Sequence, residues 1–184
     1  MEKEEWLFRA QNNKPIVFSR DIAGKTTTLT FGDDVAACIS CVAGNKQCLG
    51  QAYNCVSDKT IQWKDVLEIY LDAIECTAGI RPKVVWVDRY QDMKLNCYQT
   101  RYDRMFDRSF DNAKIKALMG NANFLPVWDG LTRGTLDFLK NPKYRLIPWK
   151  RMGFYDRLSH GKFMLMSVPG FKDKLRYSYA YFMR

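Results

Sequence analysis

A chain of 184 residues with 47% hydrophobic and 14% aromatic content is long enough for one packed domain and too apolar for a disordered segment. No run approaches the ~18 uninterrupted apolar residues of a membrane span, and the charged opening Met1-Glu-Lys-Glu-Glu-Trp6 lacks the apolar stretch of a secretory leader, so the sequence reads as cytoplasmic. The net charge of +9 is unevenly placed: residues 141–184 hold five Lys and five Arg against two Asp, a local +8, and residues 1–140 are near neutral. Any electrostatic partner therefore belongs to the last quarter of the chain.

In chain order, residues 2–11 read as a helix stopped by Asn12-Asn13 and Pro15. Pro15-Ile-Val-Phe18 is a short strand. The β-branched run Thr26–Phe31 predicts another, broken by Gly32, with Asp33 or Asp34 capping a helix that Gly44 and Asn45 end. Gln51–Val56 reads as a strand. Trp63, Val66, Leu67, Tyr70 and Ile74 recur at i, i+3, i+4, i+7 and i+11, one apolar stripe of a helix with Thr60 placed to cap it and Gly79 placed to end it. Lys83–Val87 predicts a strand, Asn112–Met119 a helix capped by Asp111 and stopped by Gly120, and Trp128–Lys140 a last helix. Strands alternating with helices argue for an α/β architecture.

Several motifs test candidate chemistries. Cys38-x-x-Cys41 invites zinc or redox chemistry, but Cys48 and Cys55 are badly spaced for a second ligand pair and no histidine is near; small cysteines packed in a reduced core are the better account of Cys38, Cys41, Cys48, Cys55, Cys76 and Cys97. Gly24-Lys25-Thr26 lacks both the earlier glycine and the following helix of a phosphate loop. His160, the only histidine, lies in a loop and reads as a surface residue. No Gly-rich dinucleotide turn follows a strand, so the chain by itself is expected to bind no cofactor. Arg101-Tyr-Asp-Arg104-Met-Phe-Asp107-Arg108 is either a solvated, self-neutralising loop or a place where arginines fork onto a phosphate.

The ordered set Thr30-Phe-Gly-Asp-Asp34-Val-Ala36, Gly50-Gln-Ala-Tyr53-Asn54, Thr60-Ile-Gln-Trp63, Asp111-Asn-Ala-Lys114-Ile-Lys and Trp128–Asp137 resembles the later portion of the extended short-chain dehydrogenase/reductase family, the NAD-dependent nucleotide-sugar epimerases, dehydratases and reductases. The likeness covers about residues 5–140. It implies the substrate-side part of a Rossmann-type enzyme of polysaccharide precursor synthesis, with NAD or NADP held by a front part that this chain does not match. The family's catalytic Tyr-x-x-x-Lys pair is matched only by Tyr90-Gln-Asp-Met-Lys94, which falls after the wrong strand. The chain thus reads as a fragment, split product or decayed form, its Met1 falling within a family-like helix. By the same resemblance Arg104 and Asp107 match an Arg-x-x-Asp that grips the substrate diphosphate. Thr27 or Thr28 stands where many members have a phosphate-contacting arginine, and Lys25 is placed to supply that charge; Gly32 replaces the usual valine.

The resemblance divides the chain into residues 1–140, a nucleotide-sugar-binding portion, and residues 141–184, a basic aromatic extension. Its partners are a sugar nucleotide together with a missing front half or a second copy. A rival reading makes the extension a nucleic-acid or membrane-surface module, since ten of the 26 aromatics lie there among Lys and Arg.

Overall fold

The computed structural model describes residues 3–94, 98–120, 122–144 and 147–183. Among them the chain runs through α1 (Lys3–Gln11), β1 (Ile16–Ser19), α2 (Arg20–Ala23), β2 (Thr26–Thr27), α3 (Gly32–Val42), β3 (Ile61–Gln62), α4 (Trp63–Ala78), β4 (Val84–Val87), α5 (Ala113–Leu118), α6 (Val127–Lys140), α7 (Trp149–Leu158) and α8 (Phe171–Phe182). The architecture is mixed α/β and mostly helical. No helix among the described residues is long and apolar enough to cross a membrane.

Two small sheets organise the helices. β1 and β4 pair in parallel, Ile16 opposite Val84 through Ser19 opposite Val87, while β2 and β3 pair antiparallel, Thr26 opposite Gln62 and Thr27 opposite Ile61. Successive side chains of a strand point to opposite faces. Ile16 and Phe18 therefore enter a core with Trp6, Val66, Leu67, Tyr70 and Val127, whereas Val17 enters a second core with Met152, Tyr155, Tyr177 and Ala180. Every residue of β1 is buried, which is why Ile16, Val17 and Phe18 form an apolar run rather than an alternating pattern.

The amphipathic stripe of α4 is buried as its spacing predicts, and the helix ends at Gly79 in the left-handed conformation, φ 69°. Its start differs from expectation. The residue before the helix is Gln62, with no side-chain cap, because the Trp63 N–H is satisfied by the Lys25 carbonyl at 3.0 Å and Thr60 is not needed. At α3 neither Asp33 nor Asp34 is the capping residue: both lie in the first turn, and the Asp34 carboxylate accepts instead from the Leu125 N–H at 3.0 Å.

Two predicted strands are corrected. The run from Thr26 to Phe31 is a strand only at Thr26–Thr27, because the Thr28 hydroxyl donates to the Arg108 carbonyl and the Thr30 hydroxyl accepts from the Ser57 N–H. Gln51–Val56 is not a strand. Side chains replace ladder bonds there: Asn54 Nδ2 donates to the Asp111 carbonyl and Asn112 Nδ2 to the Val56 carbonyl.

The basic extension packs as two helices over the second face of β1 and β4. Gly153 sits at the closest approach of α7 to α8, where a Cβ would collide with the Tyr177 carbonyl oxygen and lie 3.0 Å from its carbon. Asp156 of α7 is fully buried; its carboxylate accepts from Arg9 Nη1 at 2.9 Å and from the Tyr177 hydroxyl at 2.6 Å, and it also pairs with Lys14. The first and last helices of the chain are joined through that one carboxylate.

Candidate functional site

The charge-dense segment after β4 includes one π-helical turn, Thr100–Arg104, a widened winding that often accompanies functional sites. Residues 107–108 then run alongside β2. The Arg108 N–H donates to the Thr26 carbonyl at 3.0 Å, and the Asp107 carboxylate accepts from the Thr26 N–H at 2.8 Å and the Thr26 hydroxyl at 3.1 Å. The Arg108 guanidinium reaches both the Thr27 hydroxyl and the Asp103 carboxylate. Lys25 Nζ stands 3.7 Å from Asp107.

Arg104 occupies the inner side of this arrangement. It is buried, and its guanidinium carbon lies 5.1 Å from the centre of the Trp63 ring, over the start of α4. Its Nε and Nη1 are buried without a hydrogen-bond partner among the described residues. Burial, and then the charge of neighbouring Arg108, pull its pKa down from the ordinary guanidinium range to about 10. The face of the Trp63 ring partly offsets the loss of hydration, and such a contact is worth less than a carboxylate or phosphate partner. Asp107 behaves oppositely: the Thr26 N–H, the Thr26 hydroxyl and then Lys25 hold its carboxyl below the ordinary range.

The fold places three of the four residues singled out in the sequence side by side and the fourth one residue removed. Asp107 binds Thr26 and stands by Lys25, Thr27 is held by Arg108, and Arg104 is connected to them indirectly, its guanidinium over the Trp63 ring and the Trp63 backbone N–H on the Lys25 carbonyl. Sequence reasoning missed the roles of Arg108 and Trp63. Arg108 is a clamp on β2 rather than a solvated loop residue, and Trp63, read as part of the apolar stripe of α4, is also the platform beneath Arg104. Nothing in the spacing of either residue distinguishes those roles.

The remaining candidates fall elsewhere. Cys38 and Cys48 are buried, Cys55 is half-buried, and Cys41 and Cys76 are exposed, so a packed core accounts for only part of the set; Cys97 lies outside the described residues. Burial and the neighbouring Cys55 push the Cys38 thiol up to about 11. His160 is exposed at the turn after α7, with φ 51°. Lys94 Nζ lies 4.7 Å from the centre of the Phe154 ring, an engagement that draws it to the second core rather than into a pair with Tyr90.

A dinucleotide does not fit the turn after β1. Ser19 and Ile22 are buried there, α2 is only four residues long, and Asp21 in its first turn accepts the Tyr90 N–H at 3.0 Å. A carboxylate at that place opposes a pyrophosphate. No protein-family model, curated protein or solved structure matches the chain.

Proposed function

We propose that this chain is the substrate-side part of an extended short-chain dehydrogenase/reductase acting on nucleotide sugars, and that it binds the substrate diphosphate at Arg104 with Lys25, Thr27 and Asp107 around it. The observation that carries the reading is Arg104, a buried guanidinium with two nitrogens lacking an acceptor among the described residues. A buried charge without a partner is costly, and an anion reaching it restores the missing hydrogen bonds. The parallel β1–β4 pair and the antiparallel β2–β3 pair beside it are compatible with the substrate side of a Rossmann-type enzyme. Hydride transfer, with NAD or NADP, belongs in this reading to a separate part carrying a glycine-rich turn, and this chain alone is not catalytically competent. The same reading places the protein in the cytoplasm.

Within the site, Arg104 is the phosphate fork, the Lys25 ammonium adds positive potential, and Asp107 and Arg108 hold β2 in register beneath them. Nucleic-acid binding through residues 141–184 is the weaker alternative. Phe154, Tyr155 and Tyr177 of that segment are buried and cannot stack on bases. Calorimetric titration with UDP- and dTDP-sugars tests the proposal. Arg104→Ala is expected to weaken binding by about ten- to a hundredfold, the worth of a charge-assisted fork. No binding by the unmodified chain, or equal binding by both proteins, overturns it.

A further inference from the structure

Tyr177 and Ala180 turn one face of α8 into the second core. The opposite face is also apolar. Phe171, Leu175, Tyr179 and Phe182 recur at i, i+4, i+8 and i+11 on a single side, with exposures of 76%, 54%, 59% and 66%. A contiguous exposed apolar stripe of this kind marks a surface that something covers. Met166, 93% exposed in the turn before α8, extends the patch.

What covers it is indicated by charge. Lys172 and Arg176 flank the stripe on one side and Lys174 on the other, by the angular spacing of the helix. Beside it, between the start of α7 and α8, runs a groove of about 690 Å³ lined by Lys94, Lys150, Arg151, Asp173 and Arg176 together with Tyr179. Arg151 pairs with Glu5 at 2.9 Å and Asp173 with Arg176, which leaves Lys94 and Lys150 in excess. The only acids of residues 141–184 are Asp156, buried on Arg9 and Lys14, and Asp173, paired with Arg176 at 3.2 Å. Asp156 is thus folded away and Asp173 stays partly exposed against Arg176, so Lys172, Lys174 and Lys150 supply the cationic excess of this face.

We propose that this face docks on an anionic lipid bilayer. Phe171, Leu175, Phe182 and Met166 enter the headgroup boundary, and the rim of Lys172, Lys174 and Arg176 meets lipid phosphates, with the groove taking further headgroups. An apolar stripe edged by cations, lying parallel to the surface, is the arrangement of interfacial helices, and Tyr179 and Trp149 suit the interface. A second copy fits less well, because two such faces together would oppose like charges. Nucleic acid is the other outcome that the test distinguishes, since Phe171, Tyr179 and Phe182 carry rings able to stack on bases.

Co-sedimentation of the full chain with vesicles of phosphatidylglycerol and phosphatidylcholine, against phosphatidylcholine alone, tests this. Binding is expected only to the anionic vesicles and to fall in high salt. Phe171→Ser with Leu175→Ser, and separately Lys172→Gln with Lys174→Gln, should each lower it by about tenfold or more. Phe171, Leu175 and Lys172 are exposed and Lys174 is half-buried, so the fold is expected to survive, as circular dichroism will check. Failure to pellet with anionic vesicles, unchanged pelleting of both variants, concentration-dependent dimerisation abolished by Phe171→Ser, or oligonucleotide binding in place of vesicle binding would each overturn the proposal.

Discussion

Arg9 and Asp156 lie 147 residues apart in the sequence and 2.9 Å apart in the fold, both with fully buried side chains. The pair ties the first helix to the seventh, and the Tyr177 hydroxyl adds the eighth through the same carboxylate. Removing one partner of such a pair leaves an uncompensated charge in the interior. Asp156→Asn is therefore expected to cost about 3–5 kcal/mol, and Tyr177→Phe about 1–2 kcal/mol. Urea unfolding of the three proteins measures both.

Gly153→Ala should also destabilise, although alanine is the better helix former by about 0.5–1 kcal/mol. The added methyl meets the Tyr177 backbone, which cannot move without shifting α8. Overpacking of this kind costs about 1–3 kcal/mol, so the net change is a loss. Thermal unfolding reads the sign; a Tm unchanged or raised would mean that the two helices are not in close contact there.

Arg104 offers a separation of stability from binding. Replacing an unpartnered buried guanidinium by methionine removes a desolvated charge while keeping much of the volume over Trp63. Arg104→Met should be as stable as the parent or up to about 2 kcal/mol more stable, yet should lose the thermal shift that inorganic phosphate or UDP gives the parent. Arg108→Ala should do the reverse of a harmless loop change, since it strips a donor from both Thr27 and Asp103 and loosens β2.

Alkaline pH should weaken the fold. Burial pushes the Tyr70 hydroxyl up to about 12 from an ordinary 10.0. The folded state then holds a proton that the unfolded chain releases, so this contribution is complete below pH 10 and is lost as pH rises towards 12. A loss of about 2–3 kcal/mol over that interval corresponds to such a shift. Tyr70→Phe should flatten the slope in a pH series of denaturant midpoints, and an unchanged slope would assign it to other groups.

Much of this protein was legible from local pattern. The 3.6-residue stripe of Trp63–Ile74, the left-handed stop at Gly79 and the apolar run of β1 follow from spacing and backbone freedom, which act within a few residues. The clustering of basic charge after Asn141 was likewise visible in the type of residue, whereas Lys25, Thr27, Arg104 and Asp107 were singled out by a resemblance. Only tertiary structure decided the rest. Whether Gln51–Val56 becomes a strand depended on a partner strand, and it met Asn112 and Asp111 instead. Whether residues 141–184 trail off or pack depended on one face of β1 and β4 being left open, and on a buried Asp156 with Arg9 far away in sequence. Arg104 and Arg108 are four residues apart and chemically alike, yet one is orphaned in the interior and the other clamps a strand, because a guanidinium's role is set by the acceptors that long-range contacts bring to it.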